Sequence, residues 1–299
     1  LKVNFFIVGA PKCGTTALSD YLSEHPGICM AVPKEPTYFA DDLQGLRYVT
    51  SLEEYEALFA CKGKNKVLAG DASPAYMFSQ TAIANIHEYN PDAKLIVMLR
   101  NPVETVYSSH SQLLYSLFED EEDFGRAWAL QTARKNGENI PAKCREAALL
   151  QYREVAAYPE QLERLFEVFP KDRVKIILFD EFVKDTSLVY NEVIEFLGLD
   201  EFSSVDFSIR NPRKKSRYAI LNSIIHSPPD FLVKLLRSAG KGMLHRWIIK
   251  THGWLKNINT EVVAKEEIPA DTRRMLYEVF EEDIRRLEVI LGRDLSSWQ

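Results

Sequence analysis

Two rhythms of apolar residues run along the chain. Unbroken runs such as Phe5-Phe6-Ile7-Val8 and Leu95-Ile96-Val97-Met98-Leu99 have no polar face, the pattern of strands buried on both sides of a parallel sheet. Between them, apolar positions recur at helical spacing. Leu18, Tyr21 and Leu22 follow the first run, and Val103, Val106, Tyr107, His110, Leu113 and Leu114 follow the second. The same reading gives strands over 27–30, 67–70 and 174–179, and helices over 52–59, 80–89, 146–156, 160–169 and 186–197, with Gly198 closing the last. A final helix over 271–291 lines up Leu276, Val279, Phe280, Ile284, Leu287 and Leu291 on one face. Strands alternating with helices predict an α/β chain, with a central, mostly parallel sheet flanked by helices.

Two stretches break the rhythm. Residues 118–145 turn from acidic to basic and carry Gly and Pro, and they read as an irregular lid or insertion. Residues 207–260 are basic inside an acidic protein, with Arg210-Asn211-Pro212-Arg213-Lys214-Lys215-Ser216-Arg217 near their start. They read as a helical C-terminal covering region over the site. With no internal repeat or low-complexity linker, residues 1–299 read as one domain.

The formal net charge of −6 argues against general nucleic-acid binding, so any anion site must be local. No apolar run reaches the roughly 18 residues of a membrane span, and no transmembrane segment is expected. Cys13, Cys29, Cys61 and Cys144 show no CxxC pairing and no histidine at zinc spacing. Free thiols, a cytoplasmic protein and no metal are the expectation.

Candidate chemistry begins where the first strand ends. Gly9-Ala10-Pro11-Lys12-Cys13-Gly14-Thr15-Thr16 is a strand–loop–helix junction whose amides, helix dipole and hydroxyls suit a phosphate-like anion. Its glycine spacing is that of a Walker A loop. The lysine, however, lies inside the loop as Lys12, and Thr15 follows Gly14 where a triphosphate-binding loop needs lysine. Pro33-Lys34-Glu35-Pro36-Thr37-Tyr38-Phe39 holds a cation and a carboxylate on a segment kept extended by two prolines. Asp71-Ala72-Ser73-Pro74-Ala75-Tyr76 follows a predicted strand, at the edge where parallel sheets bind ligands. Arg100 ends another strand, and Ser108 lies about two turns into the next helix, so that both reach one anion. Asp180, at the end of 174–179, imitates a Walker B carboxylate but reads as the cap of the following helix.

These motifs together resemble the sulfotransferases that use 3′-phosphoadenosine 5′-phosphosulfate (PAPS). Pro11-Lys12-Cys13-Gly14-Thr15-Thr16 is similar to that family's 5′-phosphosulfate loop, and Arg100 through Ser108 to its 3′-phosphate motif. Lys34-Glu35-Pro36 and Ser73-Pro74-Ala75-Tyr76 resemble segments of the heparan sulfate 3-O-sulfotransferases and, more loosely, of the N-sulfotransferases. The close Leu291-Gly292-Arg293-Asp294-Leu295-Ser296-Ser297-Trp298 looks like that of many bacterial members. The resemblance implies a P-loop-like fold and a metal-free transfer of a sulfuryl group to a hydroxyl or amine of a carbohydrate or small metabolite. Glu35 is then the base, and Lys12 stabilises the leaving group. Pro11, Lys12, Cys13, Gly14, Thr15, Thr16, Arg100, Ser108, Lys214 and Arg217 hold the nucleotide. Lys34, Tyr38, Asp71, Tyr76, His110 and Gln112 are the candidates for acceptor contact. Thr37 and Ala72 depart from the 3-O-sulfotransferase pattern, which has histidine and lysine there, so donor use carries over better than a heparan-like acceptor.

Magnitudes favour reading the two anion motifs together. Micromolar binding requires about −8 kcal/mol, and a charge-assisted hydrogen bond nets about 1.5–3 kcal/mol, so one lysine is not enough. Two other readings remain at this stage: a P-loop kinase or NTPase, and a non-catalytic nucleotide- or sulfoglycan-binding module.

Overall fold

The structure, a computed structural model, describes residues 2–60, 67–208, 214–216, 260–262 and 267–298. The chain divides into two compact units. One comprises Leu1–Ser109, Glu146–Asn211 and Pro269–Gln299, the other His110–Arg145 and Pro212–Ile268.

The first unit is built on β1 (Phe5–Gly9), β2 (Ile28–Met30), β3 (Leu68–Ala72), β4 (Lys94–Leu99) and β5 (Val174–Leu178), all parallel, in the order β2-β3-β1-β4-β5. The apolar runs take the middle: every residue of β1 is buried, as is β4 from Leu95 to Leu99. Each large side chain so buried contributes about 1.5–3 kcal/mol. Phe5 stands opposite Gly70 on one side and Lys94 on the other, so the ends of β1, β3 and β4 fall on the same edge.

The helices in chain order are α1 (Thr15–Glu24), α2 (Leu52–Ala57), α3 (Ala82–Tyr89), α4 (Pro102–Ser116), α5 (Phe124–Ala129), α6 (Gln131–Lys135), α7 (Tyr152–Val155), α8 (Tyr158–Val168), α9 (Phe179–Lys184), α10 (Thr186–Leu197) and a C-terminal helix, Ala270–Leu291. α1 packs on β2 and α10, and α8 packs on α3 and the C-terminal helix. That last helix buries Leu276, Phe280, Ile284 and Leu287, while Val279 and Leu291 are half-buried. Gly198 closes α10 in the left-handed conformation (φ 78°), as its position predicts.

Several expectations are corrected. Residues 118–145 are irregular only in part: they hold α5, α6 and a fully buried ion pair, Arg134 to Glu119, with both nitrogen–oxygen distances 2.6 Å. Asp180 does not cap α9, whose N-cap is Leu178. It sits in the first turn and accepts the Trp298 indole N–H at 2.9 Å. Cys29 is disulfide-bonded, against the expectation of four thiols, whereas Cys13 and Cys144 carry no disulfide. Of the basic region 207–260, β6 (Lys214–Ser216) pairs antiparallel with β7 (Thr260–Val262), and most of the remainder, Arg217 included, lies outside the described residues. No described helix is long and apolar enough to cross a membrane.

The end of β1 is seated against the short 3-10 turn Pro74–Met77, so closely that a Cβ at Gly9 would lie 2.3 Å from the Met77 Cβ. Gly9→Ala should therefore cost about 1–3 kcal/mol of stability, read as a lower denaturant midpoint. An unchanged midpoint would show that the turn yields without strain.

Candidate active site

Three loops leave the same sheet edge, after β1, β3 and β4, where parallel sheets carry their ligand sites. The loop after β1 is tied down by the Ala10 N–H, which donates to the Met98 carbonyl at 2.7 Å. Gly14 then enters α1 with φ 88°, and a Cβ there would press on the Phe179 ring at 3.1 Å. α1 starts with Thr15 and Thr16, has no side-chain hydrogen bond from its N-cap and has no acidic residue in its first turn. Its leading N–H groups and positive dipole end therefore face no competing carboxylate of that turn. Lys12 has φ 63°, a left-handed conformation uncommon for any residue but glycine.

Cys13 turns inward. Its thiol is fully buried, 3.8 Å from both the Thr105 and Tyr158 hydroxyls, and Tyr158 donates to Thr105 at 3.0 Å. Burial pushes the thiol up to about 11, although these hydroxyls and the Arg100 charge pull it down. Cys13 thus offers an anion its main chain only.

Arg100 joins the loop after β4 to the loop after β1. Its guanidinium donates to the Lys12 carbonyl at 3.4 Å and to Glu104 at 3.2 Å, and lies 4.8 Å from the centre of the Phe179 ring. Glu104 also pairs with Arg273 at 3.5 Å. Asn101 fixes the next position: its amide donates to the Trp298 carbonyl at 2.9 Å, and its side-chain oxygen accepts the Val103 N–H at 3.0 Å. Ser108 lies two turns along α4, partly exposed. The structure thus brings Arg100 directly to the lysine loop.

The 33–39 segment carries the ion pair of Lys34 with the Glu35 Oε1; the Glu35 side chain is half exposed. Glu35 and Thr37 have φ of 61° and 51°. Tyr38 stacks on Tyr55 with centroids 4.9 Å apart, and Arg47 lies over its ring at 5.2 Å. Beneath this segment is a hydroxyl–carboxylate cluster. Asp71 accepts from Ser73 (2.7 Å), Tyr76 (2.8 Å) and Tyr55 (3.0 Å).

Asp71 and Tyr76 therefore stand elsewhere than expected. Both are fully buried, with their polar atoms turned to each other rather than to an acceptor. Sequence reasoning missed the roles of Tyr55, Glu104, Thr105 and Tyr158. Each meets a partner from another element: Tyr55 meets Asp71, Glu104 meets Arg273, and Thr105 meets Tyr158.

In the second unit His110 is buried against the Phe124 ring, and its Nε2 lies 2.8 Å from the Glu121 carbonyl. Burial holds its pKa below the usual histidine value. Proposed as an acceptor contact, it is here packed against Phe124 and the main chain of Glu121. Gln112 is exposed, and its amide donates to the Ser116 hydroxyl at 3.1 Å. Lys214 lies on β6, and Arg217 falls outside the described residues.

Burial raises Asp71 from its ordinary 3.8 to about 6, although Ser73, Tyr76, Tyr55 and the Lys34 charge all pull it down. The folded state then binds the proton more tightly than the unfolded chain. Its contribution to stability consequently falls as pH rises through that window, by on the order of 3 kcal/mol. The stability of wild type relative to Asp71→Asn should drop by that amount between acid and neutral pH in urea titrations. A pH-independent difference would contradict the burial of an ionisable Asp71.

The family model of the sulfotransferase domain matches residues 2–224. Carbohydrate sulfotransferase 15 of Mus musculus is 25% identical over 265 residues, covering 67% of this chain and 44% of that protein. Heparan sulfate glucosamine 3-O-sulfotransferase 6 of Mus musculus is 28% identical over 193 residues, covering 64% of this chain and 51% of that protein. The chain thus spans about half the length of these relatives. A crystal structure of a sulfotransferase from Alicyclobacillus acidocaldarius superposes with a TM-score of 0.73 at 27% identity, covering 100% of this chain and 99% of that one. A family model matching well over half the chain agrees with the parallel sheet and with the lysine loop at its edge: this protein belongs to the sulfotransferase family.

Proposed function

We propose that the chain transfers a sulfuryl group from PAPS to a hydroxyl or amine of a carbohydrate or small metabolite. One observation carries the reading: the Arg100 guanidinium donates to the Lys12 carbonyl, so the arginine of the 3′-phosphate motif is tied to the main chain of the 5′-phosphosulfate loop. The residues fit the donor. Loop amides, Lys12, Thr15 and Thr16 serve the 5′-phosphosulfate, and Arg100 with Ser108 the 3′-phosphate. Gly14 carries the chain into α1 in a left-handed conformation, where a side chain would press on Phe179.

PAPS supplies the sulfuryl group and a phosphate leaving group. Lys12 stabilises the negative charge left on the bridging oxygen when its bond to sulfur breaks. Glu35 takes the acceptor's proton as the new bond to sulfur forms. Lys34 occupies its Oε1, leaving Oε2 for the proton. Thr15 in place of a Walker lysine weighs against triphosphate hydrolysis.

Glu35→Gln should lower kcat by about 10²–10⁴-fold while calorimetry finds 3′-phosphoadenosine 5′-phosphate (PAP) binding intact. An unchanged kcat removes Glu35 from the mechanism. Arg100→Ala should weaken PAP by about 1.5–3 kcal/mol, and unaltered PAP affinity would detach Arg100 from the 3′-phosphate.

A further inference from the structure

Glu35 lies between Pro33 and Pro36, yet its backbone is not the extended one that those prolines predict. Its φ of 61° and the 51° of Thr37 are positions that residues with a Cβ seldom keep without outside support. The support arrives from β3. The Thr37 N–H donates to the Ser73 hydroxyl oxygen at 3.1 Å, and the Phe39 N–H to the Tyr76 hydroxyl oxygen at 3.5 Å. Both hydroxyls in turn donate to the Asp71 carboxylate, at 2.7 and 2.8 Å. The Thr37 hydroxyl closes the path by donating to the Glu35 carbonyl at 3.2 Å.

A hydroxyl has one proton and two lone pairs, so a fixed acceptor on one side decides what it offers on the other. The ionised carboxylate of Asp71 draws in the Ser73 and Tyr76 protons, which leaves their lone pairs facing the two main-chain N–H groups. An amide in its place has donors of its own. It would turn at least one hydroxyl round, so that its proton loses its fixed acceptor and its lone pairs are shared between the amide and the main-chain N–H.

We infer that Asp71 is the positioning residue for Glu35, acting through Ser73 and Tyr76 on the main chain of 37–39 and touching neither donor nor acceptor. The inference rests on the reading of Glu35 as the base. It explains why the fold keeps a fully buried acid there. The groups facing Asp71 are Tyr55 from α2, Ser73 and Tyr76 from the turn after β3, and the Lys34 charge from the 33–39 segment. With its pKa raised by burial, Asp71 adds an acid limb to the pH profile of kcat near pH 6.

The test measures kcat, PAP affinity and thermal midpoint for Asp71→Asn, Ser73→Ala and Glu35→Gln side by side, across pH. Asp71→Asn and Ser73→Ala should each lower kcat by about 10- to 100-fold, with PAP affinity held within about twofold of wild type, since the donor loops are separate. The limb near pH 6 should vanish in Asp71→Asn and persist in Ser73→Ala. Unchanged kcat in both variants, a parallel loss of PAP affinity, or a limb that survives Asp71→Asn would overturn the positioning role. Should Asp71→Asn fail to fold, Ser73→Ala decides by its kcat against its PAP affinity. Full turnover in Glu35→Gln would overturn the base itself. Lost turnover there with normal Asp71→Asn and Ser73→Ala would overturn the positioning alone.

Discussion

The pairing of β1 between β3 and β4 is the constraint on which the site depends. Parallel strands end on a common edge, and these three deliver the lysine loop, the Asp71 turn and Arg100 to it. The apolar runs of β1 and β4 make that placement rigid, because any slip would expose side chains now wholly buried. Arg100 on the Lys12 carbonyl is the chemical consequence of that alignment. Residues 88 positions apart come within hydrogen-bond reach.

Much of this was legible. Continuous apolar runs can only be interior strands of a parallel sheet, so 94–99 coincides with β4 and the loop after 5–9 was placed at its end. The strand over 67–70 was read too short. Observed β3 runs to Ala72, through Gly70 and Asp71, residues poorly suited to strands by propensity. What admits an acid there is the set of hydroxyls from Tyr55, Ser73 and Tyr76, and Tyr55 comes from another element. Asp71 looked like an exposed edge residue for the same reason.

Residues 118–145 teach a similar lesson. Their mixed charge reads as an irregular lid or insertion, yet Glu119 and Arg134 neutralise each other in the interior, and no local pattern marks two charges 15 positions apart as partners. Cys13 is the reverse case. It reads as a residue of the nucleotide loop, yet its thiol is buried against Thr105 and Tyr158, which leaves only its main chain to an anion.

The site combines a cheap local device, glycine and helix N-terminus, with a costly one, a buried carboxylate that opposes stability near neutral pH. Such a cost is understandable where a loop must be held in an unfavoured conformation beside the chemistry. The central claim is that two separate phosphates are held at one edge. Its most direct measurement is calorimetry of the wild-type protein with PAP and with ADP, which differ in where the second phosphate sits. PAP should bind at least about tenfold more tightly, the worth of one charge-assisted contact, and equal affinities would contradict a dedicated 3′-phosphate site.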